Sequence, residues 1–155
     1  MKSLASAKVL SETKERLRRL TPEDRALWGK MSVTQMLRHL SCSYEVALAD
    51  RDVAAVKGPP PWLMKFAALR TGLRWPKGTP TTPELVLALD EECSSTFAQL
   101  VDETIGKMET VASGVRWQAV HPMFGKMSAK DWMRWGYLHA DHHLRQFGRY
   151  AGGNG

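Results

Sequence analysis

The chain has little cysteine and no long apolar run. Two cysteines among 155 residues, Cys42 and Cys93, are too few for a disulfide framework. Both sit in helical patterns, so free thiols in a reducing cytosol are expected. No stretch of about 18 consecutive apolar residues is present, which argues against a membrane-spanning helix. The N-terminus, MKSLASAK, has a lysine and small residues but lacks the apolar centre of a secretory signal, so a cytoplasmic protein is expected. Several chemistries are missing their motifs. There is no glycine-rich phosphate loop after a strand, no G-x-S-x-G elbow and no cysteine pair at zinc-finger spacing. The Glu-x-x-His pattern of di-iron bundles is also absent.

What is present suits one globular domain spanning residues 1–155. Apolar residues make up 43% and charged residues 25%, enough of each for a full core and a solvated surface. The formal charge is +6. Much of it lies in Lys8, Lys14, Arg16, Arg18 and Arg19. These could form an electrostatic footprint for nucleic acid. No aromatics interleave with them, as a single-strand stacking platform needs, and a solvated helix face is the plainer reading.

Hydrophobic spacing predicts four main helices, over about 7–20, 33–49, 83–108 and 129–149. Leu10, Leu17 and Leu20 mark the first apolar stripe. A short turn opened by Thr21-Pro22-Glu23-Asp24 ends near Trp28 and Gly29. Ser32 with Gln35 reads as a capping box for the second helix, in which Met36, His39, Ser43 and Val46 form one seam. Residues 50–82 hold too many prolines and glycines for a long helix. They read as a crossover with a short helical patch over about 62–70, covering one end of the domain. Thr82-Pro83-Glu84 is a third start signal, followed by a stripe of Val86, Leu89, Cys93, Phe97, Leu100 and Val101. Residues 109–127 read as a loop anchored by Trp117 and Phe124. Ser128 with Asp131 starts the last helix, and residues 151–155 read as a frayed tail. No strand is predicted. The fold class expected is all-α, a four-helix bundle with one long crossover.

Three of the five histidines fall in HADHHLRQF, residues 139–147. A helix turns about 100° per residue, so His139 and His143 point within about 40° of each other. Two imidazoles on one helical face can serve one metal ion, and His39 is the best candidate for a third ligand. His142 lies about 100° round and is expected to pack or hydrogen-bond beside the pair. Three protein ligands leave a position for water or substrate. The plainer alternative is a set of hydrogen-bonded core histidines. Cys42 is a conceivable fourth ligand but reads better as a buried thiol. His121 reads as an ordinary loop residue able to line the site. Gln146 could orient a ligand or a water. Trp132 and Trp135 could wall a pocket or simply fill the core, and Gln35 could reach the cavity or only complete its cap.

HADHHLRQFGRY resembles the last-helix motif of the DinB-like superfamily of metalloenzymes, in which a histidine is followed four later by His-x-x-Gln. His139, His143 and Gln146 match it. WGKMSVTQMLRHL, residues 28–40, resembles that superfamily's second helix with its single histidine, His39. HPMFGKMSAKDW, residues 121–132, looks like a branch with no assigned function. The resemblance implies a DinB/YfiT-like bundle with a divalent metal on His39, His139 and His143, zinc or nickel first, iron or copper next. It also implies a low-molecular-weight thiol such as bacillithiol, mycothiol or glutathione as cosubstrate, a small-molecule substrate and a homodimer. The function expected is metal-dependent activation of a thiol or water for transfer or hydrolysis. The alternatives are a non-catalytic metal- or ligand-binding helical module, and nucleic-acid binding through the basic N-terminal helix.

Overall fold

A computed structural model describes residues 1–78, 85, 86, 95–118 and 120–152. Five helices are bounded there: α1 (Ala7–Arg18), α2 (Val33–Ala47), α3 (Pro61–Arg70), α4 (Phe97–Ser113) and α5 (Ala129–Gln146). Two short strands, β1 (Val120–His121) and β2 (Gly125–Lys126), pair antiparallel, with Val120 opposite Lys126 and His121 opposite Gly125. The protein is therefore mostly helical with a small hairpin. The expectation of no strand is corrected by this hairpin, which two residues a side made too short for a period-two pattern to reveal.

Local chemistry sets the helix ends. Ser32 and Gln35 form the expected capping box on α2, each side chain bonded to the other residue's backbone N–H. Ser128 and Asp131 do the same for α5. A further box, Thr96 with Gln99, caps α4 and was not read from the sequence, where one continuous helix over 83–108 was expected. Residues 79–84 and 87–94, including Leu89, Cys93 and the Thr82-Pro83-Glu84 signal, lie outside the described residues, as do residues 153–155. Val86 is exposed rather than buried. α4 also passes its expected end at Met108 and stops at Ser113. There Gly114 takes a left-handed φ of 74° and caps the last turn. α5 ends at Gln146, short of residue 149, with Gly148 in the same left-handed region at φ 70°.

α2 is buried on nearly every side, including His39, Ser43, Tyr44 and both Leu37 and Leu40. It packs against α4 and α5, and α1 packs against the same two helices. Trp132, Tyr44, Leu17, Met36 and Met108 sit at the centre with essentially no exposure. The Tyr44 hydroxyl donates to the Gly136 carbonyl at 3.1 Å, so α2 is pinned to α5 by a bond inside the core. The crossover turns back over the molecule. Its short helix α3 packs against α5 and β2, and Gly125 of the hairpin lies so close that an added Cβ would sit 3.1 Å from Pro61 Cβ.

The basic N-terminal stretch is partly engaged within the fold. Arg16 is 4% exposed, pairs with Asp141 at 2.8 Å and donates to the Arg149 carbonyl at 2.8 Å. Lys14 pairs with Glu109, and Arg18 with Glu15 at 2.8 Å. Two of the five basic residues, Lys14 and Arg16, are thus tied to other helices, while Lys8, Arg18 and Arg19 are exposed. No helix among the described residues is long and apolar enough to cross a membrane.

Candidate metal centre

α2 and α5 bring His39, His139 and His143 together. One ring nitrogen from each lies within 4.8 Å of the others. Nε2 of His39 is 2.9 Å from Nε2 of His139. The ring centroids are 4.8 Å apart for His39 and His143, and 5.0 Å for His139 and His143. All three are buried, at 5%, 8% and 8% exposure.

The environment keeps the rings uncharged. Burial, with a smaller contribution from His142, pushes His39 down to about 4. Burial likewise holds His139 and His143 well below the usual histidine range, and repulsion from His39 adds to both. A neutral imidazole has a nitrogen lone pair to give, which is the state a metal needs. A tetrahedral ion with bonds of about 2.0–2.1 Å sets its nitrogens about 3.3–3.4 Å apart. The His39–His139 pair thus needs to open by only a few tenths of an ångström. The cluster fits a divalent ion in donor type and protonation, with its three donors gathered within 4.8 Å of one another.

One of the three imidazoles is oriented by a hydrogen-bond chain. Nε2 of Gln146 donates to the Trp28 carbonyl at 2.8 Å. A carbonyl only accepts, so the amide oxygen must face the other way, and Oε1 lies 2.9 Å from Nδ1 of His143. His143 therefore carries its proton on Nδ1 and leaves Nε2 free. The backbone of residues 27–29 is strapped to this point. Leu27 N–H donates to the Gln146 carbonyl at 2.8 Å, and Gly29, at φ 81°, passes so near that an added Cβ would lie 2.6 Å from Gln146 Nε2. Gln146 was expected to orient a ligand or a water; its observed partner is the imidazole of His143. By contrast, Nδ1 of His39 and of His139 have no hydrogen-bond partner among the described residues.

The cluster forms the deep wall of a cavity of about 590 Å³. Of the two tryptophans read as pocket wall or core, Trp135 is buried and lines the cavity, while Trp132 is wholly buried and donates to the Gln118 carbonyl at 2.7 Å. Gln35 completes its cap and is not part of the lining. Cys42 packs against Val46 and Leu85 and is not among the converging donors. His142 sits 5.1 Å from the His143 ring, between Trp28 and Trp75. Its Nδ1 has no partner among the described residues. His121 is no ordinary loop residue. Its Nδ1 accepts from the N–H groups of Met123 and Phe124 at 3.0 and 3.3 Å, which closes the hairpin turn, and burial pushes it down to about 3. Trp75, from the crossover, was missed by the sequence reading. Its ring lies 5.8 Å from His139, and its Nε1–H donates to the Ala68 carbonyl at 3.1 Å.

A helical protein with a buried cluster of three neutral imidazoles on a cavity wall is the class these observations define. Residues 2–149 match a family described as a protein of unknown function, DUF1569, and the chain belongs to that family. No curated protein and no solved structure matches the chain.

Proposed function

We propose that the protein is a divalent-metal-dependent enzyme of the DinB-like type, with His39, His139 and His143 as ligands and an open coordination position facing the cavity. The helices α1, α2, α4 and α5 would form its four-helix bundle, with α3 in the crossover. The packing of α1 and α2 against both α4 and α5 supports that arrangement. Zinc or nickel suits the three imidazoles best, and iron or copper is compatible. A cytoplasmic homodimer using a low-molecular-weight thiol completes the proposal.

The observation that carries it is the meeting of three buried, uncharged imidazoles on the wall of an apolar cavity. Held by His39, His139 and His143, a divalent ion would supply Lewis acidity, lowering the pKa of a thiol or water at neutral pH. The chain's own residues do the rest. Gln146 holds the proton of His143 on Nδ1 and fixes the plane of that ring. Trp75 and Trp135 pack against His139 and keep bulk water from it. Ser43, one turn on from His39, lines the cavity with a buried hydroxyl that has no partner among the described residues.

The test is thermal melting of metal-loaded protein with glutathione, mycothiol and bacillithiol in turn, followed by assays of thiol transfer to a small electrophile. A rise in melting temperature with one thiol, abolished by a chelator, is expected. No thiol effect together with chelator-insensitive turnover would remove the thiol step.

A further inference from the structure

We propose that the cavity takes an organic anion with a large apolar body, its anionic group held at the mouth by Lys30 and Arg74, an inference that rests on reading this cavity as the reaction site. The volume, about 590 Å³, falls within the range of pockets that enclose a whole small organic molecule. Most of the wall is apolar, as Val46, Val53, Met64, Leu73 and Phe124 illustrate. A small, strongly hydrated ligand would leave that wall wet, whereas an acyl or aryl body would dry it.

The charges on the lining are of one sign. Lys30 and Arg74 both line the cavity, and the described lining includes no carboxylate. Both side chains are on exposed residues, and neither joins an ion pair among the described residues. Lys77, outside the lining, stacks its Nζ 4.7 Å from the centre of the ring of Trp28, which does line the cavity. At the deep end lie the histidines, the Gln146 amide bonded to His143, and the Ser43 hydroxyl, 3% exposed and without a partner among the described residues. The lining therefore runs from a cationic mouth, through an apolar wall, to a nitrogen-rich floor. A ligand complementary to all three is an amphiphile whose anionic head stays at the rim while a group on its body reaches the cluster. A neutral or cationic amphiphile finds the same wall but no partner at the mouth.

The experiment uses displacement of 8-anilinonaphthalene-1-sulfonate fluorescence by decanoate, decanol and decyltrimethylammonium, each below its micellar concentration. It is run on protein of measured metal content, before and after chelation, and on the exposed-rim variant Lys30→Glu/Arg74→Glu with its fold checked by circular dichroism. Decanoate is expected to bind about tenfold tighter than decanol, as charge-assisted contacts at a partly exposed site allow. That preference should survive chelation and vanish or reverse in the variant. Equal binding of decanoate and decanol, no dye binding at all, or an unchanged preference in the variant would overturn the proposal. The metal measurement keeps the two readings apart. An anion preference in protein that holds no metal supports this inference while removing the metal centre. Stoichiometric metal without an anion preference does the reverse.

Discussion

Nδ1 of His143 lies 2.9 Å from Oε1 of Gln146, and the same amide is anchored through Nε2 to the Trp28 carbonyl at 2.8 Å. Of the three converging imidazoles, His143 alone has its Nδ1 held by a partner among the described residues. Gln146→Leu is expected to weaken metal binding about 10–100-fold, the usual cost of losing such a supporting contact, with little change in helix content. Competition with a chromophoric chelator measures it. Unchanged affinity would show that the bond does not orient a ligand.

Gly29→Ala acts on the same bond from the other side. A Cβ there would lie 2.6 Å from Gln146 Nε2, and the φ of 81° is a conformation alanine resists. A loss of about 1–3 kcal/mol in urea unfolding is expected from the backbone strain. A drop in metal affinity in the same direction as for Gln146→Leu should accompany it. Lost stability with intact affinity would mean that the loop yields and the amide stays.

Buried His39 and half-buried His121 make stability depend on pH, and the sign can be worked out. In the unfolded chain they titrate near the ordinary value of 6.5, while in the fold His39 sits at about 4 and His121 at about 3. The unfolded state therefore binds more protons at moderately acid pH. The stabilisation is full above pH 6.5 and is lost progressively on going down toward 4 and 3. Urea midpoints of chelated protein should fall across that window. His121→Asn should flatten part of the slope, because an amide oxygen can still accept from Met123 and Phe124 without titrating. An unchanged slope in the variant would assign the effect elsewhere.

Much of the candidate site could be read from the sequence because its spacing is local. His139, His143 and Gln146 share one helical face, and the Ser32–Gln35 and Ser128–Asp131 boxes fix where α2 and α5 begin. The missed parts depend on contacts distant along the chain. Trp75 belongs to a proline- and glycine-rich crossover, and only its fold-back onto α5 brings it to His139. His121 gains its role from a hairpin of two-residue strands, too short to leave a periodic signal. The end of α4 was misplaced because Thr110 and Val111 look like poor helix formers, whereas Val111 is buried in the core and tertiary packing carries the helix on to Gly114.

Trp75 shields the site by geometry alone, its ring 5.8 Å from His139 and 6.2 Å from His142. Trp75→Ala is expected to let a chelator strip metal several-fold faster at nearly unchanged equilibrium affinity. Stopped-flow metal release reads the rate. Equal release rates would show that the crossover does not control access.

The most direct test is elemental analysis of untagged protein beside His39→Ala and His143→Ala. A stoichiometric divalent metal in the parent, absent from both variants at unchanged circular dichroism, is the predicted result. Equal metal content in all three, or none in the parent even after incubation with zinc and nickel, would contradict a shared centre on these imidazoles.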